Sequence, residues 1–398
     1  MPKQWFFQDE GFEFAALQVL GSAAYRMAEA GEVLATVQRI TDADADSWFD
    51  QWMATAKRVH AIAAESERRG QIASARDAYL RAAVYAGAAF FYVLATKDPG
   101  RELATWRWHR AAFDKAMHLW PTPVAKVDVP YEGTHLHGYF WSAGSERRPV
   151  VILVNGSDGP VSDMLSAGAL DAVARGYHAI TVDGPGQGYA LYEQKLYFRH
   201  DWEAVITPVV DFLLRRPDVD PDRIVLAGLS QAGYWVPRAA AYEHRIAAAV
   251  ADPGVVRVGD SWTRHFPPEF LQMLDARQDA EFDEIMAQVT QQQPQIHLTA
   301  AKRLEPYGTN SMAAVLTELK SWDLTEDAPK ITCPILITSP DDEQFWPGQS
   351  EELFDLVTAP GKTLTRFTAE EGANWHCEPM APQVRAQRIF DWLDGVLR

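Results

Sequence analysis

Arg223-Ile224-Val225-Leu226-Ala227-Gly228-Leu229-Ser230-Gln231-Ala232-Gly233-Tyr234-Trp235 decides the reading of this chain. Residues 224–227 form a short apolar run, as a strand buried on both faces should. Gly228-x-Ser230 ends the run, and residues 232–242 have the composition of a helix. A serine on a sharp turn between strand and helix has its Oγ projected above the sheet. The amides that open the helix then point at whatever the hydroxyl attacks, and a helix N-terminus favours negative charge there. The usual form of this turn is Gly-x-Ser-x-Gly. Here Ala232 holds the last place and Gly233 comes one later. Gly-x-Ser alone occurs in many ordinary turns, so the reading depends on what flanks it.

The flanks alternate. Residues 149–154 are almost continuously apolar, a helical pattern spans about 162–175, and a strand pattern spans 178–182. A helix over 201–216, the serine strand, and a further strand over 247–251 follow. Residues 333–338 and 363–367 read as later strands, and 382–397 as the last helix. Strand–helix alternation of this kind predicts a doubly wound, mostly parallel sheet. Ahead of it, residues 124–129 and 135–141 flank Tyr131-Glu132-Gly133-Thr134, a hairpin signature. From about 255 to 327 the alternation breaks into polar helical runs, which predicts a helical lid insertion. Residues 1–120 hold no convincing strand. Helical patterns cover 12–27, 46–69 (stopped by Gly70), 72–94 and 99–120, and no period repeats, so these predict a helical N-terminal domain covering the active site and not a repeat array. The expected division is 1–120 and 121–398. Trp106, Trp108, Phe113 and Trp120 read first as helix-on-helix packing, with a pocket lining as the alternative.

Composition narrows the function classes. The chain has 398 residues, 47% of them hydrophobic, with a formal charge of −17. That charge argues against nucleic acid or an anionic membrane surface as a partner. No apolar run approaches the ~20 residues of a membrane-spanning helix. The N-terminus turns acidic at once, unlike a signal peptide. Cys333 and Cys377 are too few for a disulfide framework, so the expected compartment is the cytoplasm.

A serine hydroxyl needs a base within hydrogen-bond reach, and the base needs an orienting acid. The chain offers both in the order serine, acid, histidine. Thr338-Ser339-Pro340-Asp341-Asp342-Glu343-Gln344-Phe345-Trp346-Pro347 directly follows a strand. Asp342 is the expected acid, because the acid commonly stands five residues before such a proline. His376, between the final strand and the final helix, is the expected base. The other ten histidines read as surface or capping residues, with His265 able to line the pocket. No pair has the spacing of a metal site, and neither metal nor cofactor is expected. Two backbone donors should hold a developing oxyanion: the amide of Gln231, and that of Ser157 in the loop Val154-Asn155-Gly156-Ser157-Asp158-Gly159-Pro160. Tyr189, Tyr234 and Trp375, each beside a motif, are candidate substrate-binding walls, with core packing the alternative for each. Asp183-Gly184-Pro185-Gly186-Gln187-Gly188 follows a strand but does not match a dinucleotide-binding fingerprint. It reads as a tight loop bordering the site, with no helix immediately after it.

The chain resembles the α/β-hydrolase family that includes 2,6-dihydroxypseudooxynicotine hydrolase and the fungal yellowish-green pigment hydrolase, and more remotely the fermentation–respiration switch protein. The resemblance is carried by Asp183 to Gly188, Asp201-Trp202-Glu203, Arg216-Pro217-Asp218-Val219-Asp220, the serine turn with Tyr234 and Pro237-Arg238, and Phe367-Thr368-Ala369-Glu370-Glu371-Gly372. Ala232 for glycine and Asn155 for histidine depart from the family pattern. The resemblance implies an α/β-hydrolase fold and a serine hydrolase that cleaves a C–C bond next to a ketone in an aromatic or polyketide-like small molecule. Ester or lactone hydrolysis, intramolecular acyl transfer and a non-catalytic scaffold are the alternatives. The flat helical domain could pair two copies into a homodimer.

Overall fold

The computed structural model describes residues 4–264 and 266–397. The chain falls into two compact units. One unit is Met1–Val124 together with Pro160–Ser166 and Ala287–Arg303. Its principal helices are Glu10–Gly21, Ala30–Val37, Ala45–Arg68, Ile72–Phe91 and Glu102–His118. Asp44 caps the third through the Ser47 amide at 3.0 Å, and Gly70 follows its end at φ +72°, a backbone conformation glycine adopts without a Cβ penalty. Phe12, Trp48 and Tyr92 meet at centroid distances of 4.5–5.3 Å, and all three are buried. Trp106 and Phe113 are buried as well, Trp108 packs on His60 at 5.2 Å, and the Arg76 guanidinium covers Trp120. The 255–327 segment is divided, since its stretch Ala287–Arg303 clusters with these helices. There Lys302 pairs with Glu102 at 3.5 Å and lies over the Phe90 ring.

The other unit is built on eight strands: β1 Val124–Tyr131, β2 Thr134–Trp141, β3 Arg148–Val154, β4 His178–Val182, β5 Val219–Leu229, β6 Ala248–Asp252, β7 Ile335–Pro340 and β8 Lys362–Phe367. Their order is β1-β2-β4-β3-β5-β6-β7-β8. β2 runs antiparallel to β4, and every pairing from β4 to β8 is parallel. Glu132 and Gly133, both at positive φ, make the two-residue turn that joins β1 and β2, the turn whose twist suits a hairpin. β4, β6 and β7 are buried at every residue, because helices cover both faces of a parallel sheet.

Two local expectations fail. The helix expected over 162–175 is broken into Leu165–Ala169 and Leu170–Ala174, with Gly168 at φ 148° inside the first piece. A Cβ at Gly168 would stand 3.3 Å from Leu153, so the chain passes close to the sheet only where it lacks a side chain. A one-turn helix, Gly188–Tyr192, does follow the glycine loop after β4.

Candidate active site

β5 ends at Leu229 and the Ala232–Ala240 helix begins three residues on. Ser230, between them, has φ 61°. A side chain at positive φ is costly for a residue that is not glycine, and the surroundings hold it there. The Ser230 amide donates to the Asp252 carbonyl at the end of β6 at 2.6 Å, and the Gly233 amide donates back to the Ser230 carbonyl at 2.8 Å. The turn needs three close approaches. A Cβ on Gly228 would lie 2.6 Å from the Ala232 methyl, one on Gly156 would lie 2.8 Å from Ser230 Cβ, and one on Gly233 would lie 1.8 Å from the Pro253 carbonyl oxygen. The place that demands glycine is therefore Gly233, and the Ala232 methyl fits because Gly228 has none. Pro237 cannot donate to the Gly233 carbonyl, and the Val255 amide does so instead at 3.3 Å.

The Ser230 hydroxyl lies 2.8 Å from His376 Nε2. On the other side of the ring, Nδ1 meets Glu343 at 2.8 Å and 3.0 Å to its two carboxyl oxygens. A carboxylate facing Nδ1 selects the tautomer with its proton there and leaves Nε2 to accept the serine proton. Both side chains are buried, at 4% and 6% exposure. Burial pushes the Glu343 carboxyl up, but His376 and the amides of Phe345 and Trp346 outweigh it and hold the group below the ordinary range. Those amides donate to Glu343 Oε1 at 2.8 Å and 3.1 Å. The ring is boxed by Phe345 and Trp346, at 4.6 Å and 5.7 Å, and the His376 amide donates to Gln344 Oε1.

Asp342 does not reach His376. Its amide donates to the Asn374 carbonyl at 2.8 Å, and its carboxylate accepts from Asn374 Nδ2 at 2.5 Å. Main chain and side chain are thus both committed to the strand-like pairing of Asp342 with the segment before the histidine. Asp341 is engaged by Arg366. The next residue, Glu343, is the one turned toward the imidazole.

The loop expected to supply an oxyanion donor follows β3. Asn155 Oδ1 accepts the Gly156 amide at 2.8 Å, and Asn155 Nδ2 donates to the Gly159 carbonyl at 2.7 Å. The asparagine thus ties the loop to itself and takes the Gly156 amide out of use, which leaves that of Ser157 next in line. The Gln231 amide stands at the mouth of the Ala232–Ala240 helix. Gln187, which the sequence reading did not single out, is buried. Its Nε2 donates to the carbonyls of Asn155 and Gly156 at 2.7 Å and 2.9 Å, and its Oε1 accepts the Gly184 amide at 3.1 Å. The glycine loop after β4 therefore fixes the loop after β3 by hydrogen bonds.

The three expected wall residues sit differently. Tyr234 is fully buried in the core and stacks on Trp322 at 5.6 Å. The Tyr189 ring packs on His137 of β2 at 4.1 Å. Trp375, next to His376, is half-buried. His265 lies outside the described residues. Among the described residues no group of His, Cys, Asp and Glu is arranged to hold a metal, and no helix is long and apolar enough to cross a membrane. Both cysteines are free.

Comparison with known proteins places these features. Residues 151–391 match the model of the alpha/beta hydrolase family. The hydrolase LUC6 of Fusarium sp is 32% identical, covering 96% of each chain. The 20-hydroxy-prefusarin hydrolase FUS2 of Gibberella moniliformis is 30% identical over 98% of this chain and 97% of its own. The solved 2,6-dihydroxy-pseudo-oxynicotine hydrolase superposes with a TM-score of 0.74 at 21% identity, covering 95% of both chains, a likeness of fold. The matched family model and the relatives that align end to end show that this chain belongs to the alpha/beta hydrolase family and is a hydrolase.

Proposed function

We propose that the chain is a serine hydrolase that cleaves a C–C bond next to a ketone in an aromatic or polyketide-like small molecule. The observation that carries the nucleophilic half is the unbroken hydrogen-bond chain from Ser230 through His376 to Glu343. Ser230 Oγ attacks the ketone carbon as its proton passes to His376 Nε2, and Glu343 stabilises the imidazolium. The amides of Gln231 and Ser157 receive the negative charge on the former carbonyl oxygen. Collapse breaks the C–C bond. The pair of electrons leaves on a carbon that an adjacent carbonyl or aryl ring stabilises, and His376 returns the proton to it. A water, deprotonated by His376, then hydrolyses the acyl-serine. The substrate half is supported by the curated relative that is named for 20-hydroxy-prefusarin.

The test is intact-mass spectrometry with aryl ketones, β-diketones and aryl esters, run beside Ser230→Ala. A transient acyl adduct on the wild type alone, with ketone cleavage, is the expected result. An adduct from esters alone would replace C–C cleavage by ester or lactone hydrolysis. A product of unchanged mass would mean intramolecular acyl transfer, because hydrolysis adds a water. Undiminished turnover in Ser230→Ala would overturn the serine nucleophile.

A further inference from the structure

Behind the histidine loop lies a set of ionisable groups that the reaction does not use. Cys377 and Glu378 follow His376 at φ 59° and 44°, two successive left-handed residues. Such a backbone persists only when its surroundings over-determine it. Glu378 has no exposed surface, and Asp252 and Arg385 are almost as deeply buried. Neither carboxyl oxygen of Glu378 meets a protein donor, and neither does Asp252 Oδ2. Asp252 Oδ1 accepts from Thr338 Oγ1 at 2.7 Å. Arg385 Nε stands 3.8 Å from Asp252 Oδ2, beyond a hydrogen bond, while its Nη1 donates to the Cys377 carbonyl at 2.7 Å. Among the charged side chains around it, Asp252 acts most strongly on the Glu378 carboxyl, through its charge and as a hydrogen-bond partner.

Buried polar atoms without partners are rare, and each one needs a reason. Here one proton accounts for two of them, the Glu378 oxygen that carries it and Asp252 Oδ2. We propose that Glu378 is a neutral carboxylic acid that donates its proton to Asp252, and that this acid pair is the positioning clamp of the catalytic loop. The clamp joins both ends of the reacting pair. The Asp252 carbonyl holds the Ser230 amide, and the Cys377 thiol donates to the same carbonyl at 3.6 Å. Glu378 lies two residues after His376. The charged or titratable groups that face Glu378 are Asp252, Arg385, Glu343 and Cys377. Glu343 must stay ionised beside His376, and Asp252 keeps the cation nearby. Burial and the Asp252 charge both raise the affinity of Glu378 for its proton, in line with the geometry.

The clamp rests on the proposed serine mechanism, and two readouts separate them. The first does not involve activity. Infrared spectra of the folded protein at mildly alkaline pH should contain a protonated-carboxyl stretch that Glu378→Gln removes. A spectrum unchanged by that substitution would overturn the shared proton. The second is the rate at which a fluorophosphonate labels Ser230. Glu378→Gln, whose amide can donate to Asp252 in place of the acid, should label at close to the wild-type rate. Glu378→Ala should label about tenfold slower or worse, as displaced catalytic groups do, with an unshifted pH profile. Labelling of Glu378→Ala at the wild-type rate would overturn the positioning role. If Glu378→Ala does not fold, Asp252→Asn supplies the second arm: loss of the anion that accepts the proton should slow labelling, and an unchanged rate would overturn the clamp. A wild type that is not labelled at all would overturn the serine nucleophile and with it the positioning role, while the infrared band still decides the shared proton.

Discussion

Asp341, Asp342 and Glu343 stand in a row after β7, and each has a different partner: Arg366, Asn374 and His376. The first two assignments leave only the third to orient the imidazole. Glu343→Gln should therefore lower kcat/KM by about 10³–10⁴-fold, the scale seen when a triad acid can no longer fix the histidine tautomer, with little change in KM. Asp342→Asn should stay within about threefold of the wild type, because its side chain meets Asn374 and not His376, and an amide oxygen can still accept from Asn374 Nδ2. Steady-state kinetics on both variants decides this, and the reverse ranking would return the acid role to Asp342. That Ser230 and His376 stand together was legible in the sequence, because each sits alone in its loop. Which carboxylate faces the histidine was not, since spacing from Pro347 favours Asp342 and three carboxylates compete for one ring. The signal lay in Glu343-Gln344-Phe345-Trp346, where the amides two and three residues on fold back onto the carboxylate. Such a turn is local, but nothing in the sequence says which of the three acids makes it.

Two connecting elements set the geometry around the nucleophile. One is the glycine loop after β4, whose Gln187 bonds to two carbonyls and one amide at once. Gln187→Ala strands these groups in a buried place, at about 1–3 kcal/mol for each left unsatisfied. The loop should shift and its Ser157 amide with it. Loss of one oxyanion donor costs about 10²–10³ in kcat, so kcat should fall by about that much while KM changes little. A KM effect alone would assign Gln187 to substrate binding. The other element is the turn into the Ala232–Ala240 helix. Ala232→Gly should cost about 1 kcal/mol, the usual helix penalty. Gly233→Ala places a methyl 1.8 Å from the Pro253 carbonyl oxygen, which no rotamer change relieves. Overpacking of this sort costs about 1–3 kcal/mol or more, and the displaced strand end carries the carbonyl that holds the Ser230 amide. Thermal melts should rank Gly233→Ala well below Ala232→Gly, with slower serine labelling in the former alone. The departure of Ala232 from the common pattern was visible in the sequence. Its harmlessness was not, because that depends on Gly228 across the turn and on Pro253, distant in the chain.

At the scale of the whole molecule, the sheet was legible because its strands are continuous apolar runs separated by helical ones, a pattern that few other architectures produce. The broken helix after β3 and the divided 255–327 segment were not, since both follow from contacts between residues far apart in sequence. The same holds for charge: formal charge is read from composition, but the response of stability to pH depends on where each group is buried. Asp201, bonded to Arg199, is held below its ordinary range. For Glu243 and Asp327, burial pushes upward, but hydrogen bonds led by those of Arg245 and Lys330 respectively win, and the net shift is downward. These groups bind protons more weakly folded than unfolded, so their contribution is present at neutral pH and is lost as pH falls through their folded values. Glu378 has the opposite sign. Burial, then Asp252, holds it well above the ordinary range. Below a pH of about 4.3, the free-glutamate value, both states keep its proton and it contributes no pH dependence. Above that pH the unfolded chain releases the proton and the folded chain retains it, so this group lowers stability progressively until its folded value is reached. Glu378→Gln has no proton to release. Its stability relative to the wild type should therefore rise between pH 5 and pH 8, whatever the offset between the two at pH 5, as denaturant titrations at several pH values can measure. A difference that does not change with pH would mean that Glu378 ionises in the folded protein as it does in the unfolded chain, and that the buried pair holds no proton.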